Sequence, residues 1–309
     1  MNLNFLHLIN ALPGVAAQGL IWGIMAIGVY LTYKILDVAD LTVDGTMCTG
    51  GAVYIMLTMA GLPWPAALLG AFLAGMAAGL VTGLFHTACG IPAILAGILT
   101  QLALYSVNLR IMGQSNRPIN AVQYDLLLSS RDVRKLGLDN PIFVGAVFVA
   151  VIIVLLYWFF GTELGSSLRA TGANQNMARA QGINTNVAKV LGLMISNGLV
   201  AVSSALLAQY QGFADVKMGQ GAIVIGLAAV IIGEVLFSRV FRNFGLKLLA
   251  VAVGSGLYYL VYQVVIWLGL NPDDMKLVSA LIVALFLTIP YWKSRYFAKA
   301  GKRGDKSHA

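Results

Sequence analysis

The chain has 309 residues, of which 59% are hydrophobic and only 10% charged, and its mean hydropathy is +0.82. A water-soluble domain carries roughly 25% charged residues, so this composition excludes an ordinary soluble enzyme and fits a polytopic membrane protein. The net charge of +8 is scattered over loops and the C-terminal tail, which points to membrane orientation and away from nucleic acid.

The opening stretch "MNLNFLHLINALPG" lacks the basic start and small-residue cleavage site of a signal peptide, so the first long apolar run is expected to be retained. Runs long enough to cross a bilayer occupy 15–36, 64–86, 91–112, 141–161, 187–210, 246–268 and 275–292. Two shorter runs lie at 45–60 and 221–237, and these read as tilted, broken or partly re-entrant. Backbone facing lipid must satisfy its own hydrogen bonds, so every run is expected to be helical. The expected fold is all-α: one transmembrane domain over 1–309 with nine crossings. Placing the N-terminus outside and the C-terminus inside puts 13 of the 20 basic residues on the inner side, the tail 293–309 included, and 7 outside.

The two cysteines, Cys48 and Cys89, imply no disulfide framework. Cys89 lies three residues after His86, but Gly90 and Pro92 end the helix there and a fourth ligand is missing, so no metal site is expected. Ser255 and His86 lie on separate helices outside any catalytic motif, and no aspartate pair is expected at mid-membrane, so the chain reads as non-enzymatic. It contains no G-x-x-x-x-G-K-[ST] phosphate loop. ATP is therefore expected on another polypeptide, and no cofactor is expected here.

An internal repeat is visible. "ADLTVDG" at 39–45 is similar to "ADVKMGQ" at 214–220, and the same offset pairs Gly51 with Gly226, Leu73 with Leu248, Ala77 with Ala252 and Gly79 with Gly254. With the expected topology the copies, 15–112 and 187–292, enter the membrane from opposite sides. Spans one to four then mirror spans six to nine, and span five is unpaired. Inverted repeats recur in transporters, with the solute path at their interface. Asp40, Asp44 and Asp215 sit at the repeat motifs, either as gate groups or as interfacial residues near helix ends. Gln101, Asn108 and Asn197 lie within spans, where they either line a path or bond to neighbouring helices. Tyr259, Tyr262 and Gln263 share a helix face that either guides an aromatic solute or packs as an interfacial belt.

Between two apolar runs lies "TELGSSLRATGANQNMARAQGIN", residues 162–184. One arginine at a helix centre costs about 2.5–3.5 kcal/mol to insert, so a segment with both Arg169 and Arg179 belongs in water or against a partner. It reads as two short helices, with Gly172 and Gly182 as C-terminal stops and Asn174 as the cap of the second. The second presents Met177 and Ala178, a compact surface suited to a groove.

This insert, with the following "LGLMISNGLVAVSSALLAQYQG", resembles the coupling-loop region of ABC importer permeases of the branched-chain amino acid and ribose type. Thr162, Gly165, Arg169, Ala170, Gly172, Ala178, Gly182, Ile183 and Asn184 match that family's pattern. "GVYLTYKILDVADLTVDGTMCTGGA", "PAILAGILTQLALYSVNLRIMG" and "YQGFADVKMGQGAIVIGLAAVIIGE" extend the resemblance over 15–292 and are similar to one branch of the family. The resemblance implies a permease subunit in a bacterial inner membrane, with 165–183 docking on separate cytoplasmic ATPase subunits. It also implies an extracytoplasmic substrate-binding protein, with the loop 113–140 as candidate contact, and a second permease copy in a homodimer. The solute it implies is an aromatic or other amino acid. The alternative is a self-contained secondary transporter or channel, which needs ionisable groups at mid-membrane.

Overall fold

The computed structural model describes residues 5–120, 123–124, 126–133, 137, 140–237, 241, 243–268, 277–278, 280–281, 283–285 and 288, with side chains from Ile9 onward. Helix α1 (Phe5–Tyr30) runs into one π-helical turn, Leu31–Ile35. There follow α2 (Val43–Met59), α3 (Trp64–Thr87), α4 (Ala93–Met112), α5 (Pro141–Gly161), α6 (Glu163–Ala173) and α7 (Gln175–Ala180). The last three are α8 (Thr185–Gln211), α9 (Ala222–Phe237) and α10 (Phe244–Trp267). Strands β1 (Asn116–Pro118) and β2 (Phe213–Asp215) pair antiparallel as a ribbon at one end of the bundle. The module α6–α7 lies at the other end.

Six helical stretches among the described residues are long and apolar enough to cross a membrane: Ile9–Ile35, Trp64–Thr87, Ala93–Met112, Pro141–Gly161, Thr185–Gln211 and Phe244–Trp267. They coincide with six of the seven long runs read from sequence. The seventh, 275–292, lies mostly outside the described residues. Burial separates centre from rim. In α1 and α8 78% of the most apolar stretch is buried, against 22–39% in α3, α4, α5 and α10, so those four turn leucine and valine toward lipid.

The centre is held by small residues and hydroxyls. Helices α1 and α8 run antiparallel, and the hydroxyls of Ser196 and Ser203 each donate at 2.7 Å to a carbonyl of α1, those of Gly28 and Ile21. A hydroxyl makes that bond only when the helices lie close, which small interface residues allow. Helix α3 reaches α8 through Gly75, Gly79 and Gly83, spaced one turn apart. A Cβ at Gly79 would stand 2.8 Å from the Met194 Cα, and one at Gly83 3.0 Å from the Val190 Cα.

The two short helices both start inside the bundle. After the π turn the chain reverses at Asp37, whose φ of 54° is the one positive value at a non-glycine residue among the described residues. The Val38 amide closes the reversal on the Thr32 carbonyl at 3.0 Å. Residues 38–42 then climb back beside α8, and α2 begins next to Asn197, halfway along the 27 residues of α8. After β2, residues 216–221 return to the same depth, where α9 begins against the first turn of α2. The two helices then diverge, α2 toward the ribbon and α9 toward α6–α7.

Of the two sequence readings of Asp40 and Asp44, this corrects the interfacial one. They sit at helix starts, but those starts lie mid-bundle and not at an interface, so an aspartate pair does occupy mid-depth. A hydropathy window cannot register the fold-back at Asp37, because the climbing segment is nearly as apolar as the helix it leads to.

Gly79→Leu is expected to overpack the α3–α8 contact at a cost of at least about 1–3 kcal/mol and to lower the detergent melting midpoint by several degrees. Leu73→Ala on the lipid-facing side of α3 is expected to leave that midpoint nearly unchanged.

Candidate functional site

The polar module is built locally. Thr162 caps α6 by accepting from the Gly165 amide at 3.3 Å, and Asn174 caps α7 by accepting from the Met177 amide at 3.0 Å. Asn184 caps α8 through the amides of Asn186 and Val187. Gly182, with φ of 81°, stops α7 as expected from sequence. Gly172 does not stop α6, which continues through Ala173. Instead it is the point where α6 presses on the π turn, because a Cβ there would overlap the Ile35 carbonyl oxygen. Gly165 is buried against the Phe159 carbonyl in the same way.

Both arginines of the module are tied down. Arg169 Nη2 donates to the Phe160 carbonyl at 2.6 Å, placing positive charge on the C-terminus of α5, and Arg179 Nε donates to Thr185 Oγ1 at 2.8 Å. Ala178 is buried and Ile183 half-buried, whereas Met177 is 64% exposed at the tip of α7. Met177 on α7 and Leu164 on α6 are therefore the large apolar side chains this module exposes.

At mid-bundle the starts of α2 and α9 are bonded together. The Asp44 carboxylate accepts from the Gly221 amide at 3.0 Å and the Ile223 amide at 2.9 Å, so a side chain of α2 caps α9. Asp40 accepts from the Thr42 amide at 2.9 Å and from Asn197 Nδ2 at 2.7 Å. Asn197 in turn accepts from the Thr46 hydroxyl at 2.7 Å. The Thr42 hydroxyl meets that of Thr82 at 2.7 Å, and Thr82 donates to Thr100 at 2.9 Å. These residues come from α2, α3, α4 and α8, so one buried polar network binds four helices where α2 begins. Such networks are costly when incomplete and specific when satisfied. At the far end of α9, Glu234 pairs with Lys34 of the π turn at 3.1 Å.

The remaining sequence candidates divide. Asn108 donates to the Gly45 carbonyl at 3.4 Å, and Gln101 lies half-buried on the same helix beside Gly45. Asp215 is the last residue of β2 and accepts from the Lys217 amide of the following turn at 2.7 Å. Tyr259 and Tyr262 face a separate cavity of about 600 Å³ between α1, α9 and α10, beside the first turn of α9. Sequence reasoning missed the threonine chain and the cavity's other side, Gln18 and Trp22. Threonine is ordinary in apolar helices and gives no signal alone. A glutamine one turn before a tryptophan in the first span was a usable one.

The geometry has recognisable relatives. The family described as branched-chain amino acid transport system / permease component matches residues 12–289. A tyrosine transport system permease protein of Clostridioides difficile is 40% identical over 278 residues, covering 90% of each chain. An uncharacterised protein of Rickettsia prowazekii is 34% identical over 284 residues, covering 90% of this chain and 97% of its own. Among solved structures, PsaBC from Streptococcus pneumoniae in complex with Fab superposes with a TM-score of 0.52 at 18% identity, covering 93% of this chain and 95% of its own, a likeness of fold alone. A family match over most of the chain and two relatives above 30% identity lead to one conclusion: this chain belongs to the branched-chain amino acid transport permease family and is a permease component of an ABC transporter.

Proposed function

We propose that two copies of this chain form the pore of an importer that moves an aromatic or other amino acid, driven by separate ATPase subunits docked on α6–α7. The N-terminus lies outside and the C-terminus inside, following the distribution of lysine and arginine. Nine crossings comprise the six long helices, the two short helices with the extended segments that lead to them, and 275–292. The inverted repeat is supported by where its motifs fall: 39–45 leads into α2, 214–220 leads into α9, and these helices run in opposite directions from one junction. The ribbon end, with the exposed loop residues around Asn116 and Lys217, would receive the substrate-binding protein. The amino-acid assignment follows the tyrosine transport permease of C. difficile.

The observation that carries this reading is the seat of Gly172 on Ile35. A module that exposes Met177 on α7 rests, without a side chain between, on the turn that leads into the discontinuous helix α2. The same turn holds the far end of α9 through the Lys34–Glu234 pair. When closure of the ATPases shifts α6–α7, the π turn shifts with it, and both helices that meet at Asp44 are displaced. Close backbone contact transmits such a shift because a packed interface has little slack.

Met177→Asp is expected to reduce ATPase co-purification by about tenfold or more, since it places a charge in an apolar contact. Unchanged co-purification would remove the docking assignment. Gly172→Val is expected to keep the ATPase bound while solute-dependent ATP hydrolysis is lost. Asp44→Ala is expected to retain docking and to cut ATP-driven uptake by about tenfold, because the α9 start loses a charge-assisted cap of about 1.5–3 kcal/mol per bond. Uptake assays on proteoliposomes holding the complete importer check both.

A further inference from the structure

We propose that the cavity between α1, α9 and α10 binds the ring of an aromatic, net-neutral amino acid during its passage, so that the permease itself selects its solute. The inference rests on the importer reading above and adds to it a place and a ligand class. The cavity measures about 600 Å³, within the range of small-molecule sites. One wall is a run of rings: Trp22 and Tyr259 have centroids 5.7 Å apart, and Tyr259 and Tyr262 5.9 Å. These spacings lie in the range at which aromatic pairs attract, and the rings border open space that another ring can enter.

The polar groups set the charge class. Gln18 lies one helical turn before Trp22, and Gln263 one turn after Tyr259, so each amide stands on the same face as a ring of the wall. A glutamine within a membrane span requires a partner or a wet cavity, and this cavity supplies the second. Among the described residues its lining contains no Asp, Glu, Lys or Arg. The start of α9 is no anion site either, because Asp44 takes the Gly221 and Ile223 amides, while those of Val224 and Ile225 bond to the Gly221 carbonyl. An anionic solute would meet the Asp44 carboxylate behind that turn, with no Lys or Arg among the described lining residues to compensate it. A zwitterion carries no net charge, and glutamine amides offer a carbonyl to its ammonium and an NH₂ to its carboxylate. The rings then separate an aromatic side chain from an aliphatic one.

Saturation-transfer NMR on the full chain in lipid nanodiscs tests this with L-tyrosine, L-leucine and L-glutamate as probes. The expected result is transfer to the tyrosine ring protons at least about threefold above that to leucine, with glutamate lowest. Tyr262→Ala and Gln263→Ala are expected to bring the tyrosine signal down to that of empty nanodiscs. Tyr262→Phe, which keeps the ring, and Tyr105→Ala, exposed on α4 away from the cavity, are expected to retain it. Equal transfer to tyrosine and leucine, no transfer to the wild type, or a tyrosine signal that survives both alanine variants would overturn the proposal. ATP-driven uptake by the complete importer is measured in parallel. Uptake that depends on ATP while the ring preference is absent overturns this inference alone, whereas uptake without ATP overturns the importer reading.

Discussion

A helix that starts inside an apolar bundle leaves its first amide groups without partners. Two such starts placed together also bring like ends of two helix dipoles into contact. Here one side chain answers both problems. Asp44, in the first turn of α2, gives its carboxylate to the Gly221 and Ile223 amides at the start of α9. A negative charge between two positive helix ends is favourable, and the bonds are charge-assisted. The junction is thereby fixed at mid-depth, and the rest of the bundle is arranged around it. Asp40, Asn197 and the threonine chain hold the α2 side to α3, α4 and α8.

The junction also sets what the surrounding helices must be. Residues 38–42 fit against α4 because Gly97 has no side chain there, and a Cβ at that position would stand 2.8 Å from the Leu41 amide nitrogen. The lower ends of both discontinuous helices converge on the π turn, through chain continuity for α2 and through Lys34–Glu234 for α9. A π turn departs from the regular helix ladder and is frequent at functional sites. Its carbonyl at Ile35 is where Gly172 of the polar module makes contact. A force at the module therefore has a short route to the junction, through backbone on the α2 side and through the Lys34–Glu234 pair on the α9 side.

Much of this was legible in the sequence. Long apolar runs marked the long helices, and the cost of burying Arg169 and Arg179 placed the module outside the apolar bundle. Asn174 and Gly182 declared the limits of α7. What was hidden depended on depth and direction. Asp40 and Asp44 looked like interfacial helix-end residues because hydropathy does not register that a chain turns back at Asp37 and climbs. Gly172 looked like a helix stop because sequence does not show the carbonyl it faces. The threonine chain was invisible for want of any local signal, and the cavity needed Gln18 and Trp22 brought against α10 by the packing of α1. Each miss concerned a contact between elements far apart in sequence.

The central claim is that the polar module works the α2–α9 junction through the π turn. The most direct test is the distance between spin labels at Gln181, at the exposed end of α7, and Leu236, exposed near the end of α9, in a cysteine-free background with Cys48 and Cys89 replaced by alanine. It is measured in the assembled importer with and without ATP. The account predicts a shift in the distance distribution on ATP binding that disappears in Gly172→Val. No shift in the otherwise unaltered chain, or the same shift in Gly172→Val, would contradict it.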